Sequence, residues 1–492
     1  DAARAAYGES ESLCRRLLDD FGPTPERLRD LSVSLNNLGN IDAALGRLDA
    51  ARTAYGESES LRRRLLDDFG PTPERLRDLS VSLNYLGNID ATLGRLDAAR
   101  AAYGESESLR RRLLDDFGPT PERLRDLSVS LDKLGNIDAA LGRLDAARAA
   151  YGESESLCRR LLDDFGPTPE RLRDLSVSQE RLGDIDAALG HPDAARAAYG
   201  ESESLCRHLL DDFGPTPERL RDLSVSLDKL GDIDTDLGHP DAARAAYGES
   251  ESLRRRLLDD FGPTPERLRD LSVSLDKLGD IDAALGRLDA ARAAYGESES
   301  LRFRLLDDFG PTPERLRDLS VSQERLGDID AALGRLDAAR AAYGESESLR
   351  RRLLDDFGPT PERLRDQGII MERLGKLALQ EQRPADAQRH FAEERALARQ
   401  LADTHGETVM ALEIAAYGAL GMARALAQQT QADEAAAACQ EAVALYERLT
   451  LARPDDPRYP QARDKACQLL EALAHPAPGS AHLPDDDASG PT

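Results

Sequence analysis

The sequence predicts an all-α chain, an α-solenoid of antiparallel helix hairpins. Three observations predict it. A unit opening DAARAAYGES at Asp1 returns, nearly unchanged, at Asp49, Asp97, Asp145, Asp193, Asp241, Asp289 and Asp337, a period of 48 residues held through eight copies. Fixed periods of this length mark stacked repeats. Within a unit, leucines recur at steps of three and four, the spacing of one helix face. Of 492 residues none is Trp, 4% are aromatic, 32% are charged and 40% are hydrophobic, mostly Ala and Leu. That mix suits long helices with thin seams, not the roughly three ordinary domains that length alone suggests.

Each unit divides into two helices. The first runs over Pro73 to Gly94, with Leu76, Leu79, Leu83, Leu86, Ile89 and Leu93 on one stripe. Thr72 suits the N-cap, Pro73 the first helical position and Glu74 the positive end of the dipole. Gly94 stops it. The second runs from about Asp97 to Phe117, with Leu96, Ala99, Tyr103, Ser106, Leu109, Leu113 and Phe117 on its stripe, and Gly118-Pro119 ends it. Helices of about 21 residues are roughly 32 Å long. A turn of two or three residues folds them back antiparallel, and only stacking covers both stripes. Gly104 lies inside the second helix, where it costs about 1 kcal/mol relative to Ala. It either admits a close helix contact or marks a kink.

Residues 1–366 are therefore near-identical repeats, the first truncated to its second helix. Residues 367–474 are divergent repeats, ending in a capping helix over 457–474. A Pro-, Asp- and Gly-rich tail, 475–492, is expected to be disordered. The chain starts at Asp1 within a repeat and without Met, so an upstream part is expected to be missing.

Leu86-Gly87-Asn88, followed by Gly94, Ala99 and Tyr103, resembles the tetratricopeptide repeat (TPR). The set recurs as Leu134, Gly135, Gly142, Ala147 and Tyr151, and as Leu278, Gly279, Gly286, Ala291 and Tyr295. It survives as Leu374, Gly375, Ala387 and Phe391, and faintly as Leu420, Gly421, Ala435 and Cys439. The resemblance, to the extended kinesin-light-chain-like and bacterial type, implies a right-handed superhelix of about nine hairpins. It also implies a concave face, lined by the first helices, where peptides bind. The 48-residue length departs from the common pattern. So do Leu83, Leu131 or Gln179 at a position the family fills with a large residue, and Asp90, Asp138 or Asp186 where it carries an aromatic.

Copies differ mostly around the Leu-Gly pair of the first helix. One position reads Asn36, Asn84, Asp132, Glu180, Asp228, Asp276, Glu324, and the next Asn37, Tyr85, Lys133, Arg181, Lys229, Lys277, Arg325. A third, four residues after the first and on its face, reads Asn40, Asn88, Asn136, Asp184, Asp232, Asp280, Asp328. Two readings stand. The first and third sets form an acidic peptide-binding groove for Arg- or Lys-bearing segments, or they are solvated positions neutralised by the neighbouring cations.

The rest of the chain offers little chemistry. Net charge is −27, which repels phosphate backbones and anionic lipids, so neither nucleic acid nor membrane is expected as a partner. No apolar stretch reads as long enough to span a bilayer. Cys14, Cys158 and Cys206 share a position that is elsewhere Arg62, Arg110, Arg254 and Arg350, which argues against a disulfide or a metal ligand. With Cys439 and Cys467 they read as reduced thiols of a cytoplasmic protein. His191-Pro192 and His239-Pro240 read as turn chemistry. The run Arg62-Arg63-Arg64 reads as local salt bridging. No catalytic or phosphate-binding motif occurs, and no cofactor or metal is expected. The function expected is a non-catalytic protein–protein interaction scaffold, the sensor or assembly part of a larger bacterial signalling protein. The alternatives are a substrate-recruiting arm of an upstream enzyme domain and a rigid spacer. Oligomeric state is not set by the sequence.

Overall fold

The computed structural model describes residues 2–474. The tail expected at 475–492 lies outside them. The described residues form twenty helices and no strand. First helices are α2 (Pro25–Ala44), α4 (Pro73–Thr92), α6 (Pro121–Ala140), α8 (Pro169–Ala188), α10 (Pro217–Asp236), α12 (Pro265–Ala284), α14 (Pro313–Ala332), α16 (Pro361–Gln380) and α18 (Val409–Gln428). Second helices are α3 (Leu48–Phe69), α5 (Leu96–Phe117), α7 (Leu144–Phe165), α9 (Pro192–Phe213), α11 (Pro240–Phe261), α13 (Leu288–Phe309), α15 (Leu336–Phe357), α17 (Pro384–His405) and α19 (Ala432–Ala452). A lone second helix, α1 (Ala2–Phe21), precedes them, and α20 (Arg458–Ala474) follows at the expected capping position. The chain divides into two compact units, Asp1–Leu253 and Arg254–Thr492.

Local chemistry sets each boundary. Thr72 Oγ1 accepts from the Arg75 backbone N–H at 3.2 Å, with Pro73 in the first turn, and the same Thr cap opens every first helix from α2 to α16. Gly94 has φ 73° and Gly118 φ 74°, left-handed conformations that a Cβ would strain. His191 and His239 stand just before Pro192 and Pro240, which begin α9 and α11 as expected of turn chemistry.

Phe117 does not join the buried stripe. It and its equivalents are 39–40% exposed from Phe69 to Phe357. Each Phe lies under the arginine of the following helix: the Arg75 guanidinium is 5.8 Å from the Phe69 ring centroid and donates to the carbonyls of Phe69 (2.6 Å) and Gly70 (2.9 Å). The arginine thus takes up carbonyls that the ending helix leaves unpaired. The aromatic residue serves the joint, not the core.

The core is a chain of small clusters. Leu79, Leu83 and Ala102 pack within a hairpin, and Ala99, Tyr103 and Ile137 join that hairpin to the next. Tyr103 lies flat against Gly87: a Cβ built on Gly87 falls 2.5 Å from Tyr103 Cε1. Ser106 is fully buried and donates to the Ser80 carbonyl at 3.0 Å. The aspartate at the position where the resembled repeat carries an aromatic is buried too. Asp90, 1% exposed, receives Arg52 of the preceding helix at 2.5 Å, so an ion pair does the tying that an aromatic would do.

A Cβ added at Gly104 would meet nothing within 4 Å, and α5 runs through this residue unbroken. A close helix contact is therefore not its role. Replacing Gly104 by alanine is expected to stabilise its hairpin by about 1 kcal/mol, measured as slower amide exchange in α5.

Toward the C-terminus the clusters merge into a larger core around Phe391, Leu420, Tyr446 and Tyr459. Contrary to the sequence expectation, one described helix, α18, is long and apolar enough to cross a membrane by length and composition. Its apolar window is 67% buried against the rest of the chain, which gives that apolarity a use in the stack.

Candidate functional site

The positions that vary among copies lie on the first helices in three rows, which the period carries from hairpin to hairpin. Their depths differ. In row one, Asn36, Asn84, Asp228 and Asp276 are buried, and Asp132, Glu180 and Glu324 are half-buried. In row three, Asn40, Asn88, Asn136, Asp184, Asp232 and Asp280 are exposed and Asp328 is half-buried. Row three also anchors the core tyrosines. The hydroxyls of Tyr55, Tyr103, Tyr151, Tyr199, Tyr247, Tyr295 and Tyr343 donate to Asn40, Asn88, Asn136, Asp184, Asp232, Asp280 and Asp328 at 2.6–2.8 Å. Burial alone pushes the Tyr103 phenol up to about 12, and burial together with Asp184 pushes Tyr199 further.

Row two reaches back one copy. Lys133 donates to Asn88 at 2.7 Å, Arg181 pairs with Asp132, and Lys229 pairs with Asp184. Arg325 lies 3.1 Å from Asp276 and 3.2 Å from Asp280. Arg373 lies 2.8 Å from Glu324 and 2.6 Å from Asp328. Tyr85, which follows the neutral Asn36 and Asn40, stacks on Tyr55 instead, with centroids 5.2 Å apart and planes at 8°. Carboxylates of these rows thus meet cations of their own chain.

A fourth position belongs to the site, and the sequence alone misplaces it. The Arg run does form surface pairs, Arg63 with Glu59 and Glu105 and Arg64 with Asp68, but Arg62 turns inward and is 5% exposed. It donates to Ser32 Oγ at 3.1 Å and to the Asp78 carbonyl. In later copies this arginine also meets row one: Arg302 with Asp276 at 2.5 Å, and Arg350 with Glu324. Where Cys158 and Cys206 replace it, the thiols are buried beside Ser178 (3.7 Å) and Ser226 (3.8 Å). A signal for the buried arginine does exist: Tyr55, Ser58, Arg62 and Leu65 are spaced as one helix stripe.

The substitutions change the electrostatics of row one. Burial pushes the Asp132 carboxyl up, against the pull of Arg181. Burial also raises Glu180, which accepts from the Ser202 and Ser226 hydroxyls. At Glu324 burial is outweighed by Arg350 and Arg373, and the carboxyl is held below its ordinary value. At the half-buried Asp328 loss of hydration pushes the carboxyl up to about 6, against the pull of Arg373.

The rows continue into the divergent copies as Glu372, Arg373 and Lys376. Beside them Glu394, 1% exposed, replaces the buried serine of the second helices α3 to α15. Burial, then the Glu372 charge, push its carboxyl well above 4.5. The folded state therefore keeps this proton after the unfolded chain has lost it, and stability falls as pH rises above the unfolded value. Glu394→Gln is expected to raise the thermal midpoint, with a gain that grows with pH until the folded group itself ionises. Melting curves of both proteins across pH check it.

Among the described residues no group of three or more His, Cys, Asp or Glu side chains is placed to hold a metal. His191 Nδ1 is 3.5 Å from Asp186, and His239 Nδ1 is 3.3 Å from Asp234, so each histidine serves its turn.

Residues 31–72, most of one helix-turn-helix unit, match the family model of the tetratricopeptide repeat. Three solved structures are similar. BtubC (BKLC) from P. vanneervenii is 18% identical, with 54% of this chain and 94% of that one covered and a TM-score of 0.42. The apo form of RapI is 11% identical, with 82% and 99% covered and a TM-score of 0.47. A putative kinesin light chain from Podospora anserina with nearly identical TPR-like repeats is 15% identical, with 47% and 97% covered and a TM-score of 0.36. No curated protein matches the chain by sequence.

Proposed function

We propose that this chain, built of tetratricopeptide repeats, is a protein-interaction scaffold whose partners lie across its consecutive first helices. One observation carries the reading. The framework of caps, joints and Gly–Tyr contacts is copied almost unchanged, whereas rows two and three on the first helices change from copy to copy and reach solvent. An exposed surface that varies on a fixed frame is where recognition can be tuned without cost to the fold.

The partner is a protein or peptide segment. Row three offers it Asn amides early in the chain and carboxylates from Asp184 onward. Row two offers half-exposed Lys and Arg side chains. The mixed row favours segments with basic groups that can compete for those carboxylates. Similar copies would hold a long segment at several weak sites together. Free thiols at all five cysteines agree with a reducing, cytoplasmic setting.

The test is a peptide-array screen of the whole chain, followed by anisotropy titration of the ligands found. Arg181→Glu with Lys229→Glu, which removes the cations that compete for Asp132 and Asp184, should tighten them at least tenfold, whereas Arg63→Glu with Arg111→Glu, on the second helices, should not. Ligands insensitive to the first pair, or no ligand at all, would sink the reading.

A further inference from the structure

We propose that the first-helix face at α16 receives an arginine side chain from a partner protein, its guanidinium held between Glu372 and Glu394. This rests on the scaffold reading and names one contact within it.

The chain itself shows what such a carboxylate position holds. In the two copies before α16, the row-one acid is neutralised by two guanidinium groups. Asp276 has Arg302 from its own second helix and Arg325 from the next first helix. Glu324 has Arg350 and Arg373 in the same two roles. Glu372 is the next acid in the row, and both donors are replaced. Ala398 stands where Arg302 and Arg350 stand; the 48-residue register puts Ala423, and not Gly421 as the sequence resemblance had it, at the position of Gly87, so Gly421 stands where Arg325 and Arg373 stand. Gly421 cannot be enlarged, because the Phe391 ring occupies the space of a Cβ.

The same copy adds a carboxyl while losing the cations. Glu394 takes the place of a buried serine, and Gly418 takes the place of Ser322, the hydroxyl that accepts from Arg302. A Cβ on Gly418 would lie 2.8 Å from Arg395 Cγ and 3.4 Å from Glu394 Oε2, so the glycine makes room for the Arg395 stem and stands in contact with the carboxyl. Glu394 Oε2 has no hydrogen-bond partner and its side chain is 1% exposed; the Tyr446 hydroxyl, at 0%, is also unpartnered. Buried polar atoms without partners are costly unless something supplies them. Lys376 reaches Glu372 at 2.7 Å from the same helix, and its side chain is 51% exposed. It can swing away and leave Glu372, 18% exposed, as the mouth of the site. A planar guanidinium, with five donors, suits two carboxyls better than an ammonium does.

The experiment uses the full chain and a fluorescein-labelled Gly/Ser peptide with one central arginine, titrated by anisotropy. Binding should weaken at least tenfold when citrulline replaces the arginine, as expected for loss of charge-assisted hydrogen bonds. Ala398→Arg, which supplies the chain's own guanidinium as Arg350 does, should abolish it to the same degree. Glu394→Ser with Gly418→Ser restores the array's usual residues and should do likewise, which decides the matter if the arginine variant folds poorly. Equal binding of the arginine and citrulline peptides, or full binding by both variants, would overturn the proposal. Ligands from the array screen that still bind Ala398→Arg, and still tighten on Arg181→Glu with Lys229→Glu, would show that the scaffold reading survives without this contact.

Discussion

Replacing Gly87 by alanine is expected to cost about 3 kcal/mol. The physical reason is the flat contact between Gly87 and Tyr103. The added Cβ would sit 2.5–2.9 Å from three ring atoms, inside any real carbon–carbon contact. The ring cannot simply slide, because its hydroxyl is held by Asn88 at 2.8 Å and its other side by Ala99 and Ile137. Relief must come from separating α4 and α5, and this also loosens the hydroxyl bond. Stacked repeats depend on their neighbours, so the damage should spread one hairpin each way and fade beyond it. Amide exchange should show this as faster exchange in α4, α5 and α6. Tyr85 and Thr92 distinguish α4 peptides, and those that run on from Thr92 into α5, from the other copies. Gly104→Ala, in the same hairpin, is the matched control of opposite sign.

Arg302→Ala is expected to cost a comparable amount, about 3 kcal/mol, for an electrostatic reason. The Arg302 and Asp276 side chains are 7% and 8% exposed and 2.5 Å apart. Removing the guanidinium strands a buried carboxylate and leaves the Asp318 carbonyl and Ser322 hydroxyl without their donor. Arg325, still 3.1 Å from Asp276, keeps the loss from being larger. The partner substitution behaves differently. Asp276→Asn should cost under about 1 kcal/mol, since Asn36 and Asn84 stand at that position in copies that carry Arg62 and Arg110. A double-mutant cycle on the two, read by amide exchange in α12 to α14, separates the pair energy from the cavity left by the arginine.

The helices, their caps and the Gly–Tyr contact are legible in the sequence because each rests on local rules. Leucine spacing sets the stripe, Thr-Pro sets the start, and the glycines at φ near 73° set the stops. Phe69 is not legible, and Arg62 is legible only through its place on the stripe of Tyr55, Ser58 and Leu65. An arginine in a run of three looks like surface and an aromatic at a helix end looks like core. Each is reversed by a neighbour further along the chain: the Asp78 carbonyl receives Arg62, and Arg75 covers Phe69. The variable rows are visible in the sequence as positions, but their pairing across copies is not, because it depends on the distance between stacked first helices. Glu394 is hidden for a related reason. Once the copies diverge, a serine turned glutamate looks like drift until Ala398, Gly418 and Gly421 are seen around it.

The row-two side chains give the order of the copies a meaning that their near-identity conceals. These cations answer the acids of the copy before them, so a unit is matched to its predecessor and not to a generic neighbour. Tyr85 can follow Asn36 and Asn40, where it finds another ring; set behind Asp276 and Asp280, it would leave two carboxylates facing an aromatic. Shuffling these units would preserve every leucine, cap and joint and still scramble the charges. The array is thus a sentence in which many words look alike and only some can trade places.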